Sequence, residues 1–145
     1  MIKEWRHFTD VKQYEWPATF FTPKEIACKG TGRLKVDMNA LVMLDKARAL
    51  FGQPMGISSG YRSPEHNQAV GGAKNSRHLV GDAFDISTKN MSEYDKQVLH
   101  GCCLLAGFKG FGFAKTFLHV DTGSSRDWSY GNNANYKAYL PVILP

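Results

Sequence analysis

The chain has 145 residues, which is the size of one compact domain. Hydrophobic residues make up 43% of the sequence and charged residues 21%, a composition that excludes a disordered or low-complexity chain. The formal net charge is +5, from 18 Lys and Arg against 13 Asp and Glu. Such a charge suits a polyanionic partner, for example nucleic acid, anionic lipid or an anionic cell-wall polymer, but does not choose among them.

In the first half of the chain, capping residues and helical spacing predict three helices. The expected helices cover residues 22–30, 37–52 and 63–70; each begins at a Thr, Asp or Ser that can cap the first turn. A strand is expected at 55–59, and the first twenty residues show no clear period.

The second half of the chain alternates apolar strand patterns with one further helix. Strands are expected over residues 79–87 and 117–121, an extended segment over 108–113, and a helix over 92–105 that Gly107 terminates. An apolar tail at 140–145 is either a last strand or a docked end. The order of elements predicts one α+β domain over 1–145, with a small, mainly antiparallel sheet flanked by helices.

The cysteines and the N-terminus bear on where such a chain is made. Cys28, Cys102 and Cys103 are odd in number and two are adjacent, so we expect free thiols and synthesis in a reducing compartment. Residues 1–10 contain no apolar signal core, and no apolar run approaches the length of a membrane span. We therefore expect synthesis in the cytoplasm without an ordinary signal peptide, and no membrane partner.

Two segments contain the residues best suited to chemistry: SRHLVGDAFDI at 76–86 and FLHVDTG at 117–123. Strand alternation fixes the faces of Asp85 and His119, whereas His78 sits just before its strand and is not bound by the alternation; if the two strands are neighbours, the three side chains can converge. Two imidazoles and one carboxylate suit Zn²⁺, and three protein ligands leave a fourth position for water, as in catalytic zinc sites. The spacing alone also fits ordinary surface histidines and a turn aspartate.

Together with SGYRSP at 59–64 and HN in the helix that follows, these segments resemble the D-Ala-D-Ala carboxypeptidase-like family of zinc peptidases, which have the hedgehog/DD-peptidase fold. The family pattern is SGYRSP, a helix with His-Asn, Gly-Gly, SxHxxGxAxDI, a helix, and a strand with HxD. The resemblance covers about residues 20–128 and includes residues 21–28 and Trp128.

The resemblance implies that His78, Asp85 and His119 are the zinc ligands. It also implies that Arg62 holds the substrate and its developing oxyanion, a role that suits an always-charged guanidinium; a surface ion pair is the alternative. Trp128 is expected either to form a wall of the substrate cleft or to pack in the core.

The general base is less clearly indicated. Several family members have an acidic residue three positions before the last zinc-binding His, but this chain has Thr116 there. Asp121 shares the strand face of His119, so we expect it to be the base or to orient a zinc ligand; a structural role at the following turn is a third possibility. Asp82 is expected at the surface, on the opposite face from Asp85.

The resemblance implies zinc-dependent hydrolysis of peptide bonds in bacterial peptidoglycan stem peptides or cross-links. Combined with the basic charge and the lack of a recognisable signal, it favours a monomeric phage or prophage lytic endopeptidase. Such an enzyme would reach the wall in the host periplasm through phage-type release or as a virion component. The alternatives are a D-Ala-D-Ala-type carboxypeptidase, a wall-remodelling endopeptidase, and a non-catalytic phage structural or binding domain. No nucleic-acid motif is present, so nucleic acid is not the expected partner.

Overall fold

A computed structural model describes all 145 residues and confirms the α+β class. The strands and helices, in chain order, are β1 Ile2–Trp5, α1 Pro23–Ile26, β2 Leu34–Asp37, α2 Met38–Phe51, β3 Ile57–Ser59, α3 Pro64–Ala69, β4 Ala83–Ser87, α4 Glu93–Ala106, β5 Gly110–Phe113, β6 Phe117–Asp121, β7 Arg126–Ser129 and α5 Ala134–Tyr139. Short 3₁₀ turns lie at Phe8–Asp10, Gln13–Glu15 and Arg77–Leu79.

The main sheet has five strands in the order β3-β4-β6-β5-β7. Its first three pairings are antiparallel and only β5 with β7 is parallel, so the expected mainly antiparallel sheet is confirmed. Strands β1 and β2 form a separate antiparallel pair. The order places β4 beside β6, as the convergence of the two motif segments requires.

The two long helices form where their caps predict them. Asp37 accepts hydrogen bonds from the amides at the start of α2, and Ser92 does the same for α4. Each helix ends at a glycine with positive φ, Gly52 at 71° and Gly107 at 115°. Apolar side chains of both helices join those of the main sheet in one core of 24 buried residues. None of the helices has both the length and the apolar character needed to span a bilayer.

Several predicted boundaries are wrong. Strand β4 begins at Ala83 rather than at residue 79, because Gly81 turns the chain with φ 90° and packs against the backbone of β2. Helix α1 ends at Ile26, four residues early, because Ala27 is extended. Residues 140–145 form no strand, which leaves the docked end of the two alternatives: the amide of Ile143 donates to the carbonyl of Gln97 on α4 at 3.5 Å.

Four elements were not predicted at all. Strands β1 and β2 pair with each other, β7 covers Arg126–Ser129, and α5 covers Ala134–Tyr139. Helix α5 has no side-chain cap bond at Asn133; only Asn132 accepts a hydrogen bond from the first helical amide, that of Ala134, at 2.9 Å. The helix is held by Tyr139, which is fully buried and whose single hydroxyl hydrogen is shared between the carbonyls of Ala114 and Phe117, both 3.0 Å from the hydroxyl oxygen.

Candidate metal centre and cleft

Three buried side chains from separate parts of the chain meet on one face of the main sheet. Asp85 on β4 lies directly opposite His119 on β6 in the antiparallel register, and the 3₁₀ turn before β4 brings in His78. Nε2 of His78 lies 3.1 Å from Oδ1 of Asp85, and Nδ1 of His119 lies 3.0 Å from the same oxygen. The three potential ligand atoms are all within 4.8 Å of one another. The two strands are neighbours, and the three side chains converge.

Each imidazole is oriented by a hydrogen bond from its other nitrogen. Nδ1 of His78 donates to the carbonyl oxygen of Gly60 at 2.7 Å, which leaves Nε2 facing Asp85. Nε2 of His119 donates to Oδ2 of Asp121 at 2.7 Å, which leaves Nδ1 facing Asp85. Metal-binding histidines are typically oriented in this way, by a carbonyl or carboxylate on the remote nitrogen.

The electrostatics of the group favour a charged carboxylate. Burial acts to raise the pKa of Asp85, but contacts with His119 and His78 outweigh it and hold that pKa well below its usual range. Burial likewise acts to lower the pKa of His119, but its hydrogen bonds with Asp121 and Asp85 raise it overall. Two imidazole nitrogens and an ionised carboxylate oxygen are a donor set that fits zinc, and the residues present therefore suit that ion.

Asp121 lies behind His119 and does not line the cleft. Its side chain is fully buried and both oxygens are occupied. Oδ2 accepts from His119 and from Arg126 at 2.8 Å, and Oδ1 accepts from Arg126 and from the amide of Gly123, both at 2.9 Å. Burial opposes ionisation, yet the bonds from His119 and Arg126 keep the pKa of Asp121 well below normal.

Arg62 borders the metal group, that is His78, Asp85 and His119, from the β3 side. Its Nη2 lies 3.4 Å from Oδ2 of Asp85, and its Nε donates to Oγ of Ser59 at 3.0 Å. Its Nη1 donates to the side chain of Asn67 at 3.3 Å. The guanidinium is thus held at the metal group and lines the cleft rather than pairing on the outer surface.

The group lies at the floor of a cleft of about 610 Å³. One wall is aromatic: the ring of Trp128 is 5.1 Å from that of His119, and Tyr130 packs against both Trp128 and Phe117. Trp128 therefore lines the cleft and is half-buried. Asp85 is the only acidic side chain among the residues that line the cleft.

The aromatic wall depends on two glycines of β5. Gly112 pairs with His119 on one side and with Trp128 on the other, and a Cβ there would lie 2.7–2.8 Å from the rings of Tyr130 and Trp128. Gly110 leaves similar room for Asp121 and Arg126, whose side chains a Cβ would overlap. Side chains of β6 and β7 can meet across β5 because its site face has none.

Neither Asp82 nor Thr116 lines the cleft. Asp82 is only 2% exposed, so its expected surface position is wrong: it pairs with Arg77 and accepts a 2.7 Å hydrogen bond from Thr122. The physical reason is the turn at Gly81, which breaks the strand alternation assumed for Asp82. Thr116 is exposed and does not line the cleft.

Sequence reasoning missed Arg77, Arg126, Phe117 and Tyr130 as cleft residues. The available signal was the alternation of Arg126, Trp128 and Tyr130, which share one strand face. That signal is weak because the strand is short and directly follows the polar residues 122–125.

Comparisons with known proteins identify a family of similar sequences. The model of the peptidase M15 family matches residues 19–121. The zinc D-Ala-D-Ala carboxypeptidase of Streptomyces albus G is 30% identical over 105 residues, covering 63% of this chain and 38% of that protein. The peptidoglycan L,D-endopeptidase MepK of Escherichia coli strain K12 is 31% identical over 102 residues, covering 64% of this chain and 54% of its own length. The matched region thus spans about half, or less, of these curated relatives.

Proposed function

The chain belongs to the peptidase M15 family, and from this premise we propose that it is a zinc-dependent peptidase acting on peptide bonds of bacterial peptidoglycan stem peptides or cross-links. The observation that carries the proposal is the buried group His78, Asp85 and His119 at the floor of a cleft that also holds Arg62. The names of the relatives, a zinc carboxypeptidase and a peptidoglycan endopeptidase, support the substrate class.

His78, Asp85 and His119 would hold the zinc ion. When bound, zinc supplies an acidified water and a Lewis acid that polarises a carbonyl. The carbonyl of Gly60 fixes the ring of His78, so this ligand needs no reorganisation on metal binding. Arg62, held by Ser59, would donate to the substrate carbonyl oxygen as negative charge develops on it.

For Asp121 the contacts favour orientation of His119 over proton transfer. Both of its oxygens already accept hydrogen bonds, and the carboxylate touches the nitrogen of His119 that faces away from Asp85. The expectation that Asp121 is the general base remains a prediction, and the variant described in the Discussion separates the two roles. Trp128 would bind the substrate with its indole face along the aromatic wall.

The test is product analysis. Purified peptidoglycan is incubated with protein loaded with one equivalent of zinc, and mass spectrometry looks for new amino and carboxyl termini. We expect cleavage by the native protein and none by His119→Ala, with His7→Ala as a control histidine remote from the cleft. Absence of cleavage by the native protein contradicts the proposal, and it would favour a non-catalytic binding domain. Undiminished cleavage by His119→Ala contradicts the metal assignment.

The same products decide between the finer alternatives. Release of single amino acids indicates a carboxypeptidase, whereas cleavage within stem peptides or cross-links indicates an endopeptidase. Within the endopeptidase class we favour a phage or prophage lytic enzyme, whose approach to an anionic wall is supported by the net charge of +5. Loss of turbidity of outer-membrane-permeabilised cells on addition of the protein supports that role. Cleavage of isolated walls without lysis favours a remodelling enzyme.

The proposal includes a monomer in which residues 1–145 work as one domain. The single apolar core, whose members run from Phe21 to Tyr139, supports the single domain. Light scattering of the purified protein tests the monomer, and a single denaturation transition seen by several probes tests the single domain.

A further inference from the structure

Three arginine–aspartate pairs border the cleft: all three guanidiniums line it, whereas of the three carboxylates only that of Asp85 does. The pairs are Arg62 with Asp85, Arg77 with Asp82, and Arg126 with Asp121. The aspartate side chains are at most 9% exposed, whereas those of Arg77 and Arg126 are 37% and 36% exposed. A ligand entering the cleft therefore meets cationic edges, although each pair is neutral as a whole.

Arg77 and Arg126 come together beside Gly123. A Cβ placed on Gly123 would be 3.0 Å from Nη1 of Arg126 and 3.5 Å from Nε of Arg77. The two like charges therefore oppose each other: Asp121 raises the pKa of Arg126, and the charge of Arg77 acts against that rise. A third group with negative charge between the guanidiniums would relieve this opposition.

Each of these guanidiniums also keeps a donor that the protein does not use. Arg77 bonds Asp82 through Nε and Nη2, and Nη1 makes no hydrogen bond within the chain. Arg126 bonds Asp121 through Nη1 and Nη2, and its Nε makes none. Unused donors on two fixed guanidiniums that both line the cleft suit a carboxylate.

The position of this arginine pair relative to the metal group sets the length of the ligand. Asp121, which holds Arg126, is two residues along β6 from His119, so their α-carbons are about 7 Å apart on an antiparallel strand. An extended peptide covers that distance in about two residues. An anionic group bound by the pair would therefore belong to a residue one or two positions from a peptide bond held at the metal group.

We propose that Arg77 and Arg126 form a carboxylate-binding subsite, and that the preferred substrate is a peptide with a free carboxylate one or two residues from the scissile bond. The subsite is separate from Arg62, which contacts the metal group itself. The proposal rests on the proposed function, because the position of the carboxylate is counted from a peptide bond that the substrate places at His119. Stem peptides with ionised side-chain or α-carboxylates meet this description, and their amidated counterparts do not.

The test compares one stem-peptide dimer in two forms, with free carboxylates and with the same carboxylates converted to carboxamides. Binding to the zinc-loaded protein is measured by calorimetry, and cleavage is measured separately by mass spectrometry. We expect the amidated dimer to bind about 10- to 100-fold more weakly, as the loss of charge-assisted hydrogen bonds predicts. Equal binding of both dimers by the native protein overturns the subsite.

Variants then locate the preference. Arg77→Gln keeps a donor for Asp82 but removes the charge, and it should reduce the ratio of the two dissociation constants to near one. Arg77→Gln combined with Asp82→Asn removes the whole pair, so it yields the same ratio without leaving a buried charge alone. Arg6→Gln, an exposed arginine elsewhere on the surface, is the control for net charge and should retain the native ratio. A native ratio in both Arg77 variants overturns the assignment.

The two measurements separate this inference from the proposed function. Discrimination in binding without any cleavage contradicts the peptidase and leaves the subsite standing. Cleavage of both dimers with equal binding contradicts the subsite and leaves the peptidase standing.

Discussion

Replacing Asp121 by Asn tests whether this residue orients His119 or accepts a proton. The carboxylate accepts four hydrogen bonds, from His119, from two nitrogens of Arg126 and from the amide of Gly123. An Asn has only one acceptor oxygen, so its amide NH₂ must face either the imidazole N–H or the guanidinium. The ring of His119 would then lose its fixed orientation, and Nδ1 would no longer be held toward Asp85.

The expected effect is on metal affinity first. Loss of a partner that orients a metal-binding histidine typically weakens metal binding about 10- to 100-fold, and we expect a change of this size for zinc. The assay is a competition titration of the metal-free protein against a zinc-chelating dye. Hydrolysis is then measured at saturating zinc, where an orienting role predicts that most of the turnover returns.

Asp127→Asn is the matched control, because Asp127 is an exposed carboxylate on the same short strand as Arg126. It should leave both zinc affinity and turnover at native values. If Asp121→Asn binds zinc as tightly as the native protein but loses about 10²- to 10⁴-fold in turnover, Asp121 is the general base and the orienting role is refuted.

Three further outcomes follow from the packing around the site. Tyr139→Phe removes the hydroxyl that bonds two backbone carbonyls, so urea denaturation should show a free energy of unfolding lower by about 2 kcal/mol. Tyr14→Phe, at an exposed tyrosine, should leave the free energy of unfolding unchanged. An equal denaturation midpoint for both variants would contradict the account of α5. Burial lowers the pKa of His100, so the unfolded chain binds more protons than the folded one and the free energy of unfolding falls as pH drops below about 6.5. This part of the pH dependence should disappear in His100→Gln. Its persistence would contradict its assignment to His100. Gly112→Ala places a methyl group against the Trp128 ring and should raise KM for the peptide substrate, whereas an unchanged KM would contradict an aromatic substrate wall.

The metal group was predictable because its geometry depends mainly on local rules. Strand alternation places Asp85 and His119 on defined faces, and the caps at Asp37 and Ser92 fix the two long helices. Only the pairing of β4 with β6 is non-local, and the family resemblance supplied it. The confirmed α+β class follows from the same short-range patterns.

The parts that were missed depend on tertiary contacts. Strand β7 has four residues, three of them polar or charged, and it exists through its parallel pairing with β5. The buried position of Asp82 depends on the turn at Gly81, and α5 depends on the hydrogen bonds of Tyr139. No local pattern in these segments encodes such partners.

Because the site face of β5 carries no side chains, the edge strand β7 can contact the candidate metal centre and help to hold it in place. Across Gly110 and Gly112, β7 supplies both the arginine that secures Asp121 and the indole that lies against His119. Edge strands are held on one side only and are among the first elements to open in native-state fluctuations. Transient detachment of β7 would therefore remove, at the same time, the arginine that holds Asp121 and the indole that lies against His119. We expect amide exchange at Arg126–Ser129 to report how long the centre stays assembled, well before global unfolding.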